Sequence, residues 1–317
     1  MRAAIVKESG ATPVLGQFDP PVASHGHVLV NVSAAALSQL GKYRSMGLHY
    51  SSEAHFPVIA GADGVGTLED GTRVYFAMPP APYGSLAEQT IVHTNKVIPL
   101  PDGIDDALAA AIVNPAMSSW AALVYRARFE PGQTVLINGA TGASGSLAVQ
   151  IARHLGAKKI IVTGRNEAKL RLLEADQAVA FDLSAEDGAK AFENALKLVI
   201  AHGVDIVLDY LWGESALAIL SAIAQTIEGQ VTRFVSIGTA SGQEAIQLPS
   251  AIFRASSIEL LGSGGRSVSP RDLLASAKSV LELAAQGKLE LPTAEFALQD
   301  IEKAWQAPLT PRPVIRV

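Results

Sequence analysis

Cysteine is missing from all 317 residues, and aromatic residues make up only 6% of the chain. Without thiols there is no disulfide, no cysteine nucleophile and no thiolate metal site. Charge is sparse as well. Charged residues are 17% of the total, the formal net charge is -5, and no run of Lys or Arg occurs, which argues against a nucleic-acid surface. No stretch approaches the eighteen or so apolar residues of a membrane span. The first residues, Met1 to Lys7, alternate like a strand and lack the apolar core of a signal peptide. These absences predict a cytoplasmic protein with no nucleic-acid or membrane partner. What is abundant is apolar residues, 49% of the chain, enough over this length for about two domains with large cores.

The rest of the chain is organised around Val135 to Ala152. Val135 to Ile137 form a short, wholly apolar run of the kind buried in a parallel sheet. Glycines follow at 139, 142 and 145, and then Ala148, Ile151, Ala152 and Leu155 recur on one helical face. Strand, glycine turn and helix make the first turn of a dinucleotide-binding unit. There, N–H groups at the helix start and the helix dipole hold a pyrophosphate. Gly142 and Gly145 take the second and third places of the G-x-G-x-x-G pattern, and Ala140 the first. Alanine enters positive φ less freely than glycine does.

The second strand, Lys159 to Thr163, ends at Gly164-Arg165-Asn166. A unit for NAD(H) places an acid here for the ribose hydroxyls, yet the first acid is Glu167, already inside the next helical pattern. Arg165 instead offers a planar cation suited to a 2′-phosphate, with Lys169 one turn further on. The residues therefore point to NADPH over NADH. A solvated loop cation is the plainer alternative for Arg165.

Residues 1 to about 114 carry short strands and turn signals, such as Pro20-Pro21, Asp70-Gly71 and Pro79-Pro80. Two helices are predicted around Asn114-Pro115, which reads as a hinge. From about 130 to 265, strands near 134–138, 159–163, 178–181, 205–209, 231–237 and 258–262 alternate with helices. One of those helices shows an apolar face of Phe192, Ala195, Leu196 and Val199. This is the pattern of a doubly wound parallel sheet, which binds ligand at the carboxyl ends of its strands. That edge includes Thr141 to Ser144, Arg165, Ser236 to Thr239 and Gly262 to Arg266, and the cofactor-binding candidates there are Thr141, Gly142, Ala143, Ser144, Gly164, Arg165, Ile237, Gly238, Gly264 and Arg266. Ser269, Pro270 and Asp272 open a helix that stops at Gly287, and the last thirty residues are expected to rejoin the first domain.

Nearly the whole chain resembles the zinc-independent quinone oxidoreductases of the medium-chain dehydrogenase/reductase superfamily. The resemblance rests on Gly61-Ala-Asp-Gly-Val-Gly66 followed by Gly71-Thr-Arg-Val74, on Tyr83 to Glu88, and on Pro99 to Gly103. It continues through Asn138 to Gly145, Asp205 to Asp209 and Phe234 to Gly238. It implies an α/β fold in which a Rossmann NADP(H)-binding domain, 116–265, is inserted in a GroES-like β-rich catalytic domain, 1–115, completed by 266–317. It also implies a homodimer. Zinc-dependent relatives have Gly-His-Glu where this chain has Gly61-Ala62-Asp63, so no metal is expected. His49 and His55 lack the partners a zinc site needs.

Within the resemblance, Asn114 and Ser118 line the nicotinamide side, and the loop through Gly264 and Arg266 covers the cofactor. The family's Asn and Tyr that face the acceptor correspond to Ser38 and Tyr43. Asp63 is expected to bond backbone at a Gly-rich bend rather than to act as a base. The implied activity is metal-independent hydride transfer from NADPH to a quinone or another conjugated carbonyl, whose conjugation delivers the arriving charge to oxygen. Two alternatives stand beside it. One is an enoyl-thioester reductase; the other is a non-catalytic NADPH-binding or sensing protein, which the serine at 38 keeps open.

Overall fold

The computed structural model describes residues 1–48, 52 and 55–317. The chain divides into two compact units, one of Met1–Asn114 with Ala277–Val317, the other of Pro115–Ser276.

The first unit is built on strands β1 (Arg2–Val6), β2 (Val14–Gln17), β3 (His27–Ala36), β4 (Val58–Ile59), β5 (Asp63–Thr67), β6 (Arg73–Ala77), β7 (Gln89–His93) and β8 (Val97–Pro99). The short helix α1 (Gln39–Ser45) lies between β3 and β4. A small antiparallel sheet runs in the order β2-β1-β4. The larger sheet runs β15-β16-β3-β5-β6-β8, with β7 also on β3. It thus takes in the late strands β15 (Thr293–Ala297) and β16 (Arg312–Arg316). β16 pairs antiparallel with β3, Val314 opposite Ala36, so the chain's end is stitched to its beginning. Ala4, Val6, Ala35, Leu86, Ile301, Trp305 and Ile315 form one apolar cluster beneath. The helix α9 (Ile301–Gln306) supplies the bulkiest member, Trp305.

The second unit is a parallel sheet of β9 (Thr134–Asn138), β10 (Lys159–Gly164), β11 (Gln177–Ala180), β12 (Ile206–Asp209), β13 (Val231–Ser236) and β14 (Ser257–Gly262). The spatial order β11-β10-β9-β12-β13-β14 reverses at β9, the doubly wound pattern whose ligand crevice opens where the order switches. Each strand lies within two residues of its predicted span. The intervening helices are α3 (Ala143–His154), α4 (Glu167–Leu170), α5 (Gly188–Val199), α6 (Gly213–Thr226) and α7 (Ser250–Ala255). Phe192 and Leu196 of α5 pack with Leu136, Val207, Ile219 and Phe234, as the apolar periodicity requires. Helix α8 (Pro270–Ala285) begins with a reciprocal cap, in which the Asp272 N–H donates to Ser269 Oγ and that hydroxyl donates back to the Asp272 carboxylate.

The two helices expected around Asn114-Pro115 are a single helix, although the division between the two units does fall between those residues. Helix α2 runs unbroken over Asp106–Ala121 and passes directly into a π-helical turn, Ala122–Arg126. Proline removes one backbone hydrogen bond and costs a free helix about 3 kcal/mol. Here that cost is offset by burial, because Ala109, Ala110, Ala111, Ile112, Val113 and Ala116 are all withdrawn from water. This segment also corrects the expectation about apolar runs. Asp106–Arg126 is long and apolar enough to cross a membrane, but 67% of its most apolar window is buried in the protein.

Candidate functional site

The carboxyl edge of the parallel sheet is held by a polar network at or next to the last positions of three strands with apolar centres. Asn138, fully buried at the end of β9, donates through Nδ2 to Asp209 Oδ1 at 2.8 Å and to Ser215 Oγ at 2.9 Å. Its Oδ1 accepts from Thr163 Oγ1 at 2.7 Å. Asp209 also accepts the Leu211 and Trp212 N–H groups at 3.1 Å, which fixes Trp212 at an unusual φ of 60°. A fully satisfied buried network of this kind locks the relative heights of β9, β10 and β12. Burial pushes the Asp209 carboxyl up to about 6, against the pull of Asn138 and the two backbone donors.

Thr141 to Ser144 leave this platform at the end of β9. The chain turns at Gly139, which holds a φ of +88°, while Ala140 is not left-handed. The tight turn thus sits one residue before the position that the glycine pattern assigns to it, and alanine at 140 costs nothing there. The Gly139 and Ala140 N–H groups both donate to the Thr163 carbonyl at 3.0 Å. Gly142 is the N-cap of α3, and no side chain caps the helix. A Cβ added to Gly142 would meet only the Gly139 carbonyl, at 3.8 Å. The protein's own packing therefore has no need of a glycine at 142. A group approaching the open helix start from outside does need one, and an anion such as a pyrophosphate fits these donors.

Gly164 ends β10, and Arg165 follows it onto the surface. The Arg165 and Lys169 side chains are both exposed and make no hydrogen bond or ion pair among the described residues; the Asp182 carboxyl, held low chiefly by its bonds with Ser184, also feels the Arg165 charge. Asn166 caps α4 through the Lys169 N–H, and Glu167 is paired with Arg171. The nearest acid is thus turned along its own helix. Ile237 and Gly238 leave β13 with their N–H groups on the Asp209 carbonyl, at 2.8 and 3.3 Å. Gly264 follows β14 and donates to Ser267 Oγ at 2.7 Å, with Arg266 in the same loop. The sheet therefore gathers Thr141, Gly142, Ala143, Ser144, Gly164, Arg165, Ile237, Gly238, Gly264 and Arg266 at one edge, and Lys169 lies one turn beyond.

Asn114 and Ser118 are one turn apart on α2, both half-buried, and the Ser118 hydroxyl donates to the Pro115 carbonyl at 2.8 Å. In the first unit, Ser38 is buried and serves as the N-cap of α1, its Oγ accepting the Gly41 N–H at 2.9 Å. Tyr43, on the same helix, is 46% exposed, and its hydroxyl has no partner among the described residues. Lys42 anchors α1 from its other side. It donates to the Trp305 carbonyl and lies over the Trp305 ring, and burial lowers its pKa.

Asp63 bonds a side chain and not the backbone expected of it. The Tyr75 hydroxyl donates to Asp63 Oδ2 at 2.9 Å within the sheet, and the buried Arg312 of β16 acts on the same carboxylate through its charge. Burial pushes Asp63 up to about 6, opposed by Tyr75 and then Arg312. His49 lies outside the described residues and His55 is exposed. Among the described residues no three His, Asp or Glu side chains converge as a metal site would require.

The two raised carboxyls set a pH dependence. In the folded chain each holds a proton up to about pH 6, whereas the unfolded chain releases it near the ordinary value of 3.8. The folded state then binds more protons across that window, so stability falls as pH rises through it. Urea unfolding should show the protein losing about 1–2 kcal/mol per carboxyl between pH 5 and 7. Asp63→Asn should roughly halve that slope, and an unchanged slope would mean Asp63 is ionised throughout.

One unit thus holds a doubly wound parallel sheet and the other a set of mainly antiparallel strands. The family model for zinc-binding dehydrogenases matches residues 143–281. A probable NADPH-dependent quinone reductase of Emericella nidulans is 28% identical over 345 residues, covering 96% of both chains. A phenolphthiocerol/phthiocerol polyketide synthase chain of Mycobacterium tuberculosis is 30% identical over 296 residues, 88% of this chain and 13% of that much longer one. Among solved structures, the quinone oxidoreductase of Thermus thermophilus, also known in complex with NADPH, superposes with a TM-score of 0.78 at 28% identity, over 100% of both chains. The chain belongs to the quinone oxidoreductase-like family of the medium-chain dehydrogenase/reductase superfamily.

Proposed function

We propose that the protein is a metal-independent oxidoreductase that uses NADPH to reduce a quinone or another conjugated carbonyl. The observation that carries this reading is the uncapped, open helix start at Gly142 and, just past the end of the next strand, an exposed Arg165 whose side chain is unpaired among the described residues. A pyrophosphate and a 2′-phosphate are the two anionic groups of NADPH, and the second sets it apart from NADH. The names of the relatives point the same way. In this reading Thr141, Gly142, Ala143 and Ser144 bind the pyrophosphate. Gly164, Arg165 and Lys169 take the 2′-phosphate end, and Ile237, Gly238, Gly264, Arg266, Asn114 and Ser118 flank the nicotinamide half. Bound NADPH supplies the hydride. The unit Pro115–Ser276, a little wider than the expected 116–265, then serves as the cofactor domain, and Met1–Asn114 with Ala277–Val317 as the catalytic one.

Tyr43 is the proton donor for the acceptor's oxygen, since its hydroxyl is unengaged among the described residues and α1 is anchored by Lys42. Ser38 contributes by holding the start of α1. Metal independence is supported by the lack of cysteine and by Gly61-Ala62-Asp63 where zinc-dependent relatives have Gly-His-Glu. A homodimer is supported by β14, an outermost strand of the parallel sheet on which Leu260 is exposed. A cytoplasmic location follows from the composition.

The decisive test is NADPH oxidation by the purified protein with a simple para-quinone, with NADH and an enoyl thioester in parallel. Quinone-dependent turnover favouring NADPH is expected. Turnover with the thioester alone would reassign the acceptor, and binding without turnover would favour a sensing role. Tyr43→Phe should lower kcat about tenfold while leaving NADPH affinity unchanged. An unaltered kcat would return Tyr43 to a packing role.

A further inference from the structure

Three polar groups from separate elements meet beside the start of α3. Ser119, fully buried on α2, has its Oγ 2.7 Å from the Tyr210 hydroxyl and 3.0 Å from the Ser144 carbonyl oxygen. The same Oγ is 3.2 Å from the carbonyl of Pro115, one turn back in its own helix. Tyr210 directly follows β12 and is itself buried, and burial pushes its phenol well above the usual range, so it stays protonated.

The protons can be counted. The two hydroxyls bring two protons, and the Tyr210 hydroxyl has no other acceptor among the described residues. Its proton must therefore go to Ser119 Oγ. Ser119 then has one proton for two carbonyls. With one lone pair occupied by the phenol, it is directed to the nearer oxygen, that of Ser144. Each hydrogen bond in such a chain polarises the next. Left to itself, a helical serine bonds back to the carbonyl four residues earlier, which here is Pro115.

We propose that Tyr210 and Ser119 form a hydroxyl relay that positions the pyrophosphate-binding turn by gripping the Ser144 carbonyl. This rests on the NADPH reading above. The turn needs such a grip because its own interactions are thin. Gly142 gives α3 no side-chain cap, and the Gly142 N–H reaches the Gly139 carbonyl only at 3.4 Å. Ser144 is in the first turn of α3, so fixing its carbonyl fixes the neighbouring N–H donors. The relay ties that turn to α2 and to the end of β12, both packed in the core. Donors held in place before the anion arrives bind it without a reorganisation cost.

The test is fluorescence titration of NADPH, alongside calorimetric titration of adenosine 2′-monophosphate, which has the 2′-phosphate but no pyrophosphate. The proteins are wild type, Ser119→Ala, Tyr210→Phe and the double variant. Ser119→Ala should weaken NADPH about tenfold and Tyr210→Phe about threefold, with adenosine 2′-monophosphate unchanged in both. The double variant should match Ser119→Ala alone, because a relay broken once has nothing further to lose. If Ser119→Ala does not fold, Tyr210→Phe, which keeps the ring in the core, carries the test. Equal weakening of both ligands, additive losses, or unchanged NADPH affinity in a folded variant would each overturn the relay. Wild type that binds neither ligand would instead bring down the cofactor reading, and the relay with it.

Discussion

Arg165→Ala is expected to weaken NADPH binding by about 1–3 kcal/mol, roughly 5- to 150-fold in Kd, and NADH binding hardly at all. The reasoning is local. Arg165 stands just beyond the end of β10, exposed and without a hydrogen-bond partner among the described residues, so removing it leaves no buried group orphaned and costs the fold little. What is lost is a charge-assisted contact with a phosphate that only NADPH carries. Lys169, exposed one turn later, is a second cation for the same group, so Arg165→Ala with Lys169→Ala should cost more than either change alone. Parallel fluorescence titrations with the two cofactors check this. Equal losses for NADPH and NADH would detach Arg165 from the 2′-phosphate and leave it a surface cation.

Much of this is legible in the sequence because it is local. The strands of the nucleotide-binding sheet are bounded by apolar runs and glycines, and periodicity places each of them. Arg165 can be read because a strand end and a missing acid are features of neighbouring residues. The misreadings come from what neighbouring residues do not show. Pro115 predicts a break when only its own stretch is considered, but the alanines around it are buried so completely that the helix continues. The glycine pattern assigns its tight turn to position 140, whereas the backbone takes its positive φ at Gly139.

The polar core of the edge is hidden from the sequence for the same reason. Asn138, Thr163 and Asp209 each look like an ordinary residue at the end of a strand, and their mutual bonds exist only once β9, β10 and β12 are side by side. A signal is present all the same, since three neighbouring strands with apolar centres each carry a hydrogen-bonding side chain at or next to their carboxyl end. Asp63 gives less. Tyr75 is 12 positions away on the next strand, and Arg312 comes from the far end of the chain, so neither can be paired with it without the register of the sheet.

The two glycines at the helix start should fail in opposite ways when replaced by alanine. A Cβ at Gly145 would lie 2.4 Å from the Gly139 carbonyl oxygen and 2.6 Å from Ala140 Cα, both backbone atoms that cannot swing aside. Gly145→Ala must therefore push α3 away from β9, and a loss of about 3 kcal/mol of stability is expected in urea unfolding. At Gly142 the same methyl has open space and an ordinary φ of -84°, so Gly142→Ala should cost less than about 1 kcal/mol. Its methyl would instead occupy the path by which a pyrophosphate reaches the helix N–H groups. NADPH affinity should then fall on the order of tenfold to a hundredfold in a protein that melts like wild type. If Gly142→Ala keeps full affinity, the phosphates are bound elsewhere on the sheet edge. If Gly145→Ala is as stable as wild type, the close approach of α3 to β9 is not what the glycine secures. Between them, the pair of variants separates a glycine kept for packing from a glycine kept for a ligand.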